Sequence, residues 1–146
     1  KMAGEKNIKL RNKSDKPDNI LLKEHEIISK CEELQKQLPN FLRGFFAYLK
    51  GNVLPMTRLS YLSDIKLFCS YLIHETDLTD ADNISDIKLE DFNKIKAVDI
   101  NIFLDYCRKY TVETNKEIII YENSNRTLAR KSHHYPLCLN SFSETN

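Results

Sequence analysis

Tyr135 follows His133 and His134, which sets a nucleophile next to two bases. Phosphoryl or acyl transfer by a tyrosine also needs fixed cations around the charge that develops. No pair of arginines accompanies this tyrosine, so no nucleophilic site is assigned to it. Asp77, Asp80, Asp82 and Asp86 crowd an acidic stretch at residues 75–91. Their spacing lacks the order and the central glycine of a calcium loop, so they are assigned to capping and solvated charge. Cys31, Cys69, Cys107 and Cys138 lie far apart with no C-x-x-C pair. The first three fall on apolar stripes of predicted helices and are expected to be buried free thiols of a reducing cytoplasm, not zinc ligands or disulfides. The remaining group is cationic. Arg126 and Arg130 stand at i and i+4 with Lys131 adjacent, three cations in six residues without an acid. Guanidinium groups on one helix face can fork onto phosphates or guanine edges, or can form a plain solvated surface.

The elements that must position these groups are helical. The 146 residues contain only three Gly and four Pro, with 41% hydrophobic and 29% charged residues, as in a single globular domain with tails. A net charge of +1 means that any nucleic-acid footprint must be local. No apolar run approaches the length of a membrane span, and no signal peptide is visible.

Residues 1–19 are Lys-rich, interrupted by Pro17, and expected to be a disordered basic tail. Helices are predicted over 19–38 and 41–49, the second stopped by Gly51-Asn52. The next helix, 57–73, carries Tyr61, Leu62, Ile65, Phe68, Cys69 and Leu72 on one stripe. Ser60, Ser63 and Ser70 lie opposite, Lys66 lies on their flank, and Leu67 is an apolar misfit. A short turn or helix at 87–92 leads to Asp99, expected to cap a helix over 100–110 whose core face is Phe103, Tyr106, Cys107 and Tyr110. Residues 111–122 change to a β-hairpin or extended loop. Ser124 or Asn125 then caps a helix starting near Arg126.

In sequence order these pieces read L-P-x-F-L-x-x-F from Leu38, and T-x-x-x-Y-x-x-D-[IL]-x-x-F-x-x-[YW]-L on Thr57, Tyr61, Asp64, Ile65, Phe68, Tyr71 and Leu72. I-x-x-F-L-x-Y from Ile100 and R-x-x-A-R-K from Arg126 follow. The ordered set resembles the N-terminal core-binding domain of tyrosine recombinases, the phage-integrase and Xer family, especially those of low-GC Gram-positive bacteria and their mobile elements. It covers most of the chain between residues 36 and 132. The resemblance implies an all-α, SAM-like four-helix bundle that forms half of a C-shaped clamp around DNA. Residues 20–132 would be that domain, with the hairpin or loop near 111–122.

Carried over, the resemblance offers Thr57, Arg58 and Lys66 of the second helix and Arg126, Arg130 and Lys131 of the fourth to double-stranded DNA. It leaves Tyr61, Ile65, Phe68 and Leu72 in the core. The implied function is the DNA-binding half of a site-specific recombinase acting in DNA integration and recombination. Other recombinase protomers are the implied protein partners; no cofactor, metal or membrane is implied. In the family a separate domain supplies two arginines, a lysine, histidines and the attacking tyrosine. This chain has no counterpart of that set and is expected not to be an enzyme alone. The competing reading is a helical protein-interaction or regulatory domain that never touches DNA. Convergence of Arg58, Lys66, Arg126, Arg130 and Lys131 on one concave face favours DNA.

The C-terminal stretch departs from the pattern. The family's fourth helix continues past Lys131 with small and then apolar residues, whereas this chain reads HHYPLCLNSFSETN, with Pro136 one turn in. Residues 133–146 are therefore expected to be an aberrant, poorly ordered tail of frameshifted origin. Lys1 before Met2 similarly points to a start upstream of the natural one.

Overall fold

Pro55 opens the longest helix, α3 (Pro55–Glu75), at a position where its missing N–H costs nothing. The computed structural model describes residues 9–132, and α3 is the axis of that structure. Its expected stripe, from Tyr61 to Leu72, is buried throughout. Burial extends further round the helix to Arg58, Asp64 and Tyr71, and Leu67 packs half-buried against the core. Neighbours therefore cover α3 on most sides, and it is not the one-faced amphipathic helix that its stripe predicts.

Helix α1 (Asp18–Gln37) packs along α3. A 3-10 turn at Asn40–Leu42 leads into α2 (Arg43–Asn52). After α3 come a 3-10 turn at Ile84–Asp86, α4 (Leu89–Asn93) and α5 (Ala97–Arg108). Strands β1 (Lys109–Glu113) and β2 (Ile118–Glu122) form an antiparallel hairpin, and residues 125–132 are helical again (α6). The chain is thus mostly helical with one small two-stranded sheet.

Several helix ends differ from expectation: α5 stops at Arg108, so Tyr110, expected on the core face of a helix over 100–110, lies in β1. Helix α2 runs through Gly51 and Asn52, because Gly51 has no positive φ and Asn52 Nδ2 donates to the Tyr48 carbonyl at 2.8 Å. Helix α5 begins three residues before Ile100. Asp99 is its third residue and accepts the Lys96 N–H at 2.8 Å, so it satisfies an open donor from inside the first turn and is not the N-cap. The acidic stretch behaves as capping and solvated charge. Asp91 accepts the Thr79 hydroxyl at 2.7 Å and the Lys88 N–H at 3.1 Å, while Asp77, Asp80 and Asp82 are exposed.

An aromatic chain joins the elements. Phe68 meets Phe103 of α5 edge-on at 4.9 Å and Phe92 of α4 at 6.1 Å; Phe41 meets Phe92 at 5.0 Å. Tyr71 lies 4.9 Å from Phe103, and Phe45 of α2 meets Tyr61 at 6.0 Å. Such pairs add about 0.5–1.5 kcal/mol each beyond the area they bury. Within the basic N-terminal stretch, Asn12 Nδ2 donates to the Lys16 carbonyl and to Asp18, and Lys16 reaches Glu24 at 2.7 Å, tying residues 12–18 to the start of α1. The expected aberrant tail at 133–146 lies outside the described residues, as do residues 1–8.

Candidate nucleic-acid interface

Ser124 starts the segment that carries the basic cluster. Its hydroxyl accepts the Thr127 N–H at 3.2 Å, the first bond of an N-cap, and its carbonyl accepts the Leu128 N–H. Just upstream, the Asn123 N–H donates to the Arg108 carbonyl at 3.0 Å and its side chain donates to the Cys107 carbonyl at 2.6 Å. The hairpin is therefore pinched at its base, and α6 starts from a point fixed on the end of α5. Leu128 faces the core, which leaves Arg126 exposed on the opposite side.

One turn on, α6 meets α3 through charge. Asp64, its side chain only 2% exposed, accepts Lys131 Nζ at 2.6 Å on Oδ1. The same oxygen accepts Arg130 Nη2 at 2.8 Å, and Oδ2 accepts Arg130 Nε at 3.2 Å. The two cations differ in exposure. Lys131 is buried with its carboxylate, whereas the Arg130 side chain is 44% exposed. A guanidinium has five N–H donors, and Asp64 takes two of Arg130's, which fixes its plane and leaves its remaining edge turned away from Asp64.

Arg58 is used in the same structural way. It is 3% exposed, and its Nη2 donates to Gln35 of α1 and lies 3.5 Å from Glu32. Its Nε is buried without a partner among the described residues. Arg58 and Lys131, expected on the DNA-facing surface, thus lie inside. They join α3 to α1 and α6 to α3, because in each case the sequence supplies a carboxylate or amide across the interface.

The other expected contacts divide by direction. Thr57 is exposed and sits seven residues before Asp64, two turns up on the same side of α3. Lys66 is half-buried and lies two residues past Asp64, about 200° around the helix, so it faces away from α6. Arg126 and Arg130 thus share one face of α6 and Thr57 shares the Asp64 side of α3, but the five expected cations do not all come onto one face. The local charge there is three cations, Arg126, Arg130 and Lys131, less one carboxylate, Asp64, or +2. Asp64 itself, the carboxylate that gathers Arg130 and Lys131, is what charge-counting missed. A signal was available, since Asp64 borders the apolar stripe between Tyr61 and Phe68.

Cys107 adjoins this cluster. Burial pushes its thiol up to about 12, with Lys131 pulling down and Asp64 adding to the rise. Cys31, Cys69 and Cys107 are all buried in the core. Among the described residues no group of His, Cys, Asp and Glu side chains is placed to hold a metal, and no helix is long and apolar enough to cross a membrane. No family model, curated protein or solved structure matches the chain.

Proposed function

We propose that this chain is a DNA-binding module of the core-binding type found in tyrosine recombinases, a SAM-like bundle that grips duplex DNA through its backbone and carries no cutting chemistry of its own. One observation carries the reading. The two segments that the sequence resemblance assigns to DNA, the T-x-x-x-Y-x-x-D helix and the R-x-x-A-R-K segment, meet at Asp64. This contact supports a single surface built from α3 and α6, with Thr57, Arg126 and Arg130 as its phosphate contacts. Arg58 and Lys131 are then framework, and Lys66 lies off the surface. Backbone recognition of this kind is electrostatic and largely independent of sequence.

Fluorescence anisotropy of a labelled duplex at low salt tests the reading. Binding should weaken on replacing Arg126→Ala together with Arg130→Ala, with the helical circular dichroism unchanged. No binding by the native chain, or equal binding by the double variant, would remove the support. The competing reading, a helical protein-interaction domain, draws on the exposed apolar side chains Tyr48, Leu54 and Met56 around the α2–α3 junction. If that reading holds, DNA is ignored at any salt.

A further inference from the structure

The hairpin has little core beneath it. Tyr110 stacks on Tyr121 at 4.9 Å and on Tyr106 at 5.3 Å, which ties its base to α5. Beyond that contact its residues are largely exposed, Ile118 at 64% and Ile120 at 60%. A lone two-stranded hairpin is marginal in water, and its unpaired edges are templates for another strand.

Its hydrogen-bond pattern shows which groups each edge offers. The Asn123 N–H donates to the Arg108 carbonyl at the base, and the Thr114 N–H donates to the Glu117 carbonyl at 2.8 Å at the tip. In an antiparallel ladder closely bonded pairs alternate with open ones. With the register Tyr110↔Tyr121 and Val112↔Ile119, those two pairs are also bonded inward. The N–H and C=O groups of Lys109, Thr111 and Glu113 therefore point away from β2, along the outer edge of β1.

That edge matches itself. We propose that two copies of this chain associate by pairing β1 with β1, antiparallel, about a two-fold axis through Thr111. The outward groups of Thr111 then bond Thr111 of the second copy. Lys109 falls opposite Glu113 of the other chain, and Glu113 opposite Lys109, in the same outward-bonding positions. Val112, exposed in one copy, falls beside Tyr110 of the other. The outer edge of β2 does not match in this way. Pairing about Ile120 sets Glu122 against Ile118, with no charge partner. Within its own hairpin Lys109 already faces Glu122, so it lies between two carboxylates in the pair and does not repel the edge. The association stands whether or not the chain binds DNA.

Sedimentation velocity over a wide concentration series tests it with charge reversals. Native protein should show a reversible monomer–dimer equilibrium. Lys109→Glu and Glu113→Lys should each weaken dimerisation by about tenfold or more. Each variant alone sets like charges opposite each other, but an equimolar mixture of the two restores both opposite pairs and should dimerise again. The doubly reversed chain should recover as well. Thr111→Pro is a second probe. It removes an N–H that the hairpin does not use, a substitution tolerated at a sheet edge, and it should abolish association with the hairpin intact by circular dichroism. Native protein that stays monomeric, a Thr111→Pro variant that still dimerises, or a mixture that fails to re-associate would each overturn the proposal.

Discussion

Replacing Asp64 with Asn removes one negative charge and leaves two cations where they were. Lys131 Nζ stands 2.6 Å from Oδ1 with its side chain 6% exposed, so water cannot replace the lost charge in place. Breaking a buried ion pair from one side costs about 3–5 kcal/mol. Arg130 is nearly half exposed, and its share is small, about 0.5 kcal/mol. The amide oxygen of Asn still accepts one hydrogen bond, which moves the total to the low end, about 3 kcal/mol. Against the ~5–15 kcal/mol of a typical domain this is a large fraction. At a urea slope of about 2 kcal/mol per molar, the midpoint should fall by about 1.5 M, read by circular dichroism. Adding Lys131→Met to Asp64→Asn removes the stranded charge. The double variant should be more stable than the sum of the singles by about 2 kcal/mol. By contrast, Glu26→Gln at the exposed Lys30–Glu26 pair should cost less than about 0.5 kcal/mol. A loss under about 1 kcal/mol for Asp64→Asn, or zero coupling to Lys131, would refute the idea that charge holds α6 on α3.

Three further outcomes follow from local environments. The Cys107 thiol, pushed up to about 12 chiefly by burial, should stay protonated and react with a thiol reagent at pH 8 only as fast as the domain opens; rapid native labelling, mapped by mass spectrometry, contradicts this. Burial resists ionisation of Asp91, but the Thr79 hydroxyl, the Lys88 N–H and nearby Lys94 and Lys88 outweigh it, so its pKa lies below the ordinary 3.8. Its stabilisation is therefore complete above that value and is lost as pH falls through the lower folded value. Asp91→Asn should cost about 1–2 kcal/mol at neutral pH and soften the acid limb of the unfolding curve; an unchanged acid limb counts against it. Phe103→Ala, between Phe68 and Tyr71, should cost about 3–5 kcal/mol by thermal or urea unfolding.

Much of the fold could be read from periodicity. The α3 stripe, the α5 core face at Phe103 and Cys107, and the change from helix to hairpin are local patterns that survive into the structure, although the change comes two residues earlier than the expected 110/111 boundary. The charged residues were harder because their burial depends on partners far away in sequence. Asp64 meets Arg130 and Lys131 across 66 and 67 residues. No local window contains both sides. Arg58 is a different failure. It precedes Tyr61, Leu62 and Ile65 by three, four and seven residues and so lies on the apolar stripe itself. Its side-chain type argued for the surface, whereas its position argued for the core, and position prevailed because Gln35 and Glu32 were there to receive it. Asp99 shows a smaller version, in which the capping residue was identified but its place in the helix and the donor it serves, the Lys96 N–H, were not.

The salt dependence of duplex binding tests the proposed α3–α6 surface most directly. Each phosphate contact contributes about 0.9 to the slope of log K against log salt. Arg126→Ala with Arg130→Ala should make the native slope shallower by about 1.8, two contacts at that value. Arg58→Gln should leave the slope unchanged, because Arg58 is buried against α1. An unchanged slope in the double variant, or a slope that falls with Arg58→Gln in a protein that remains folded, would contradict the assignment of the interface.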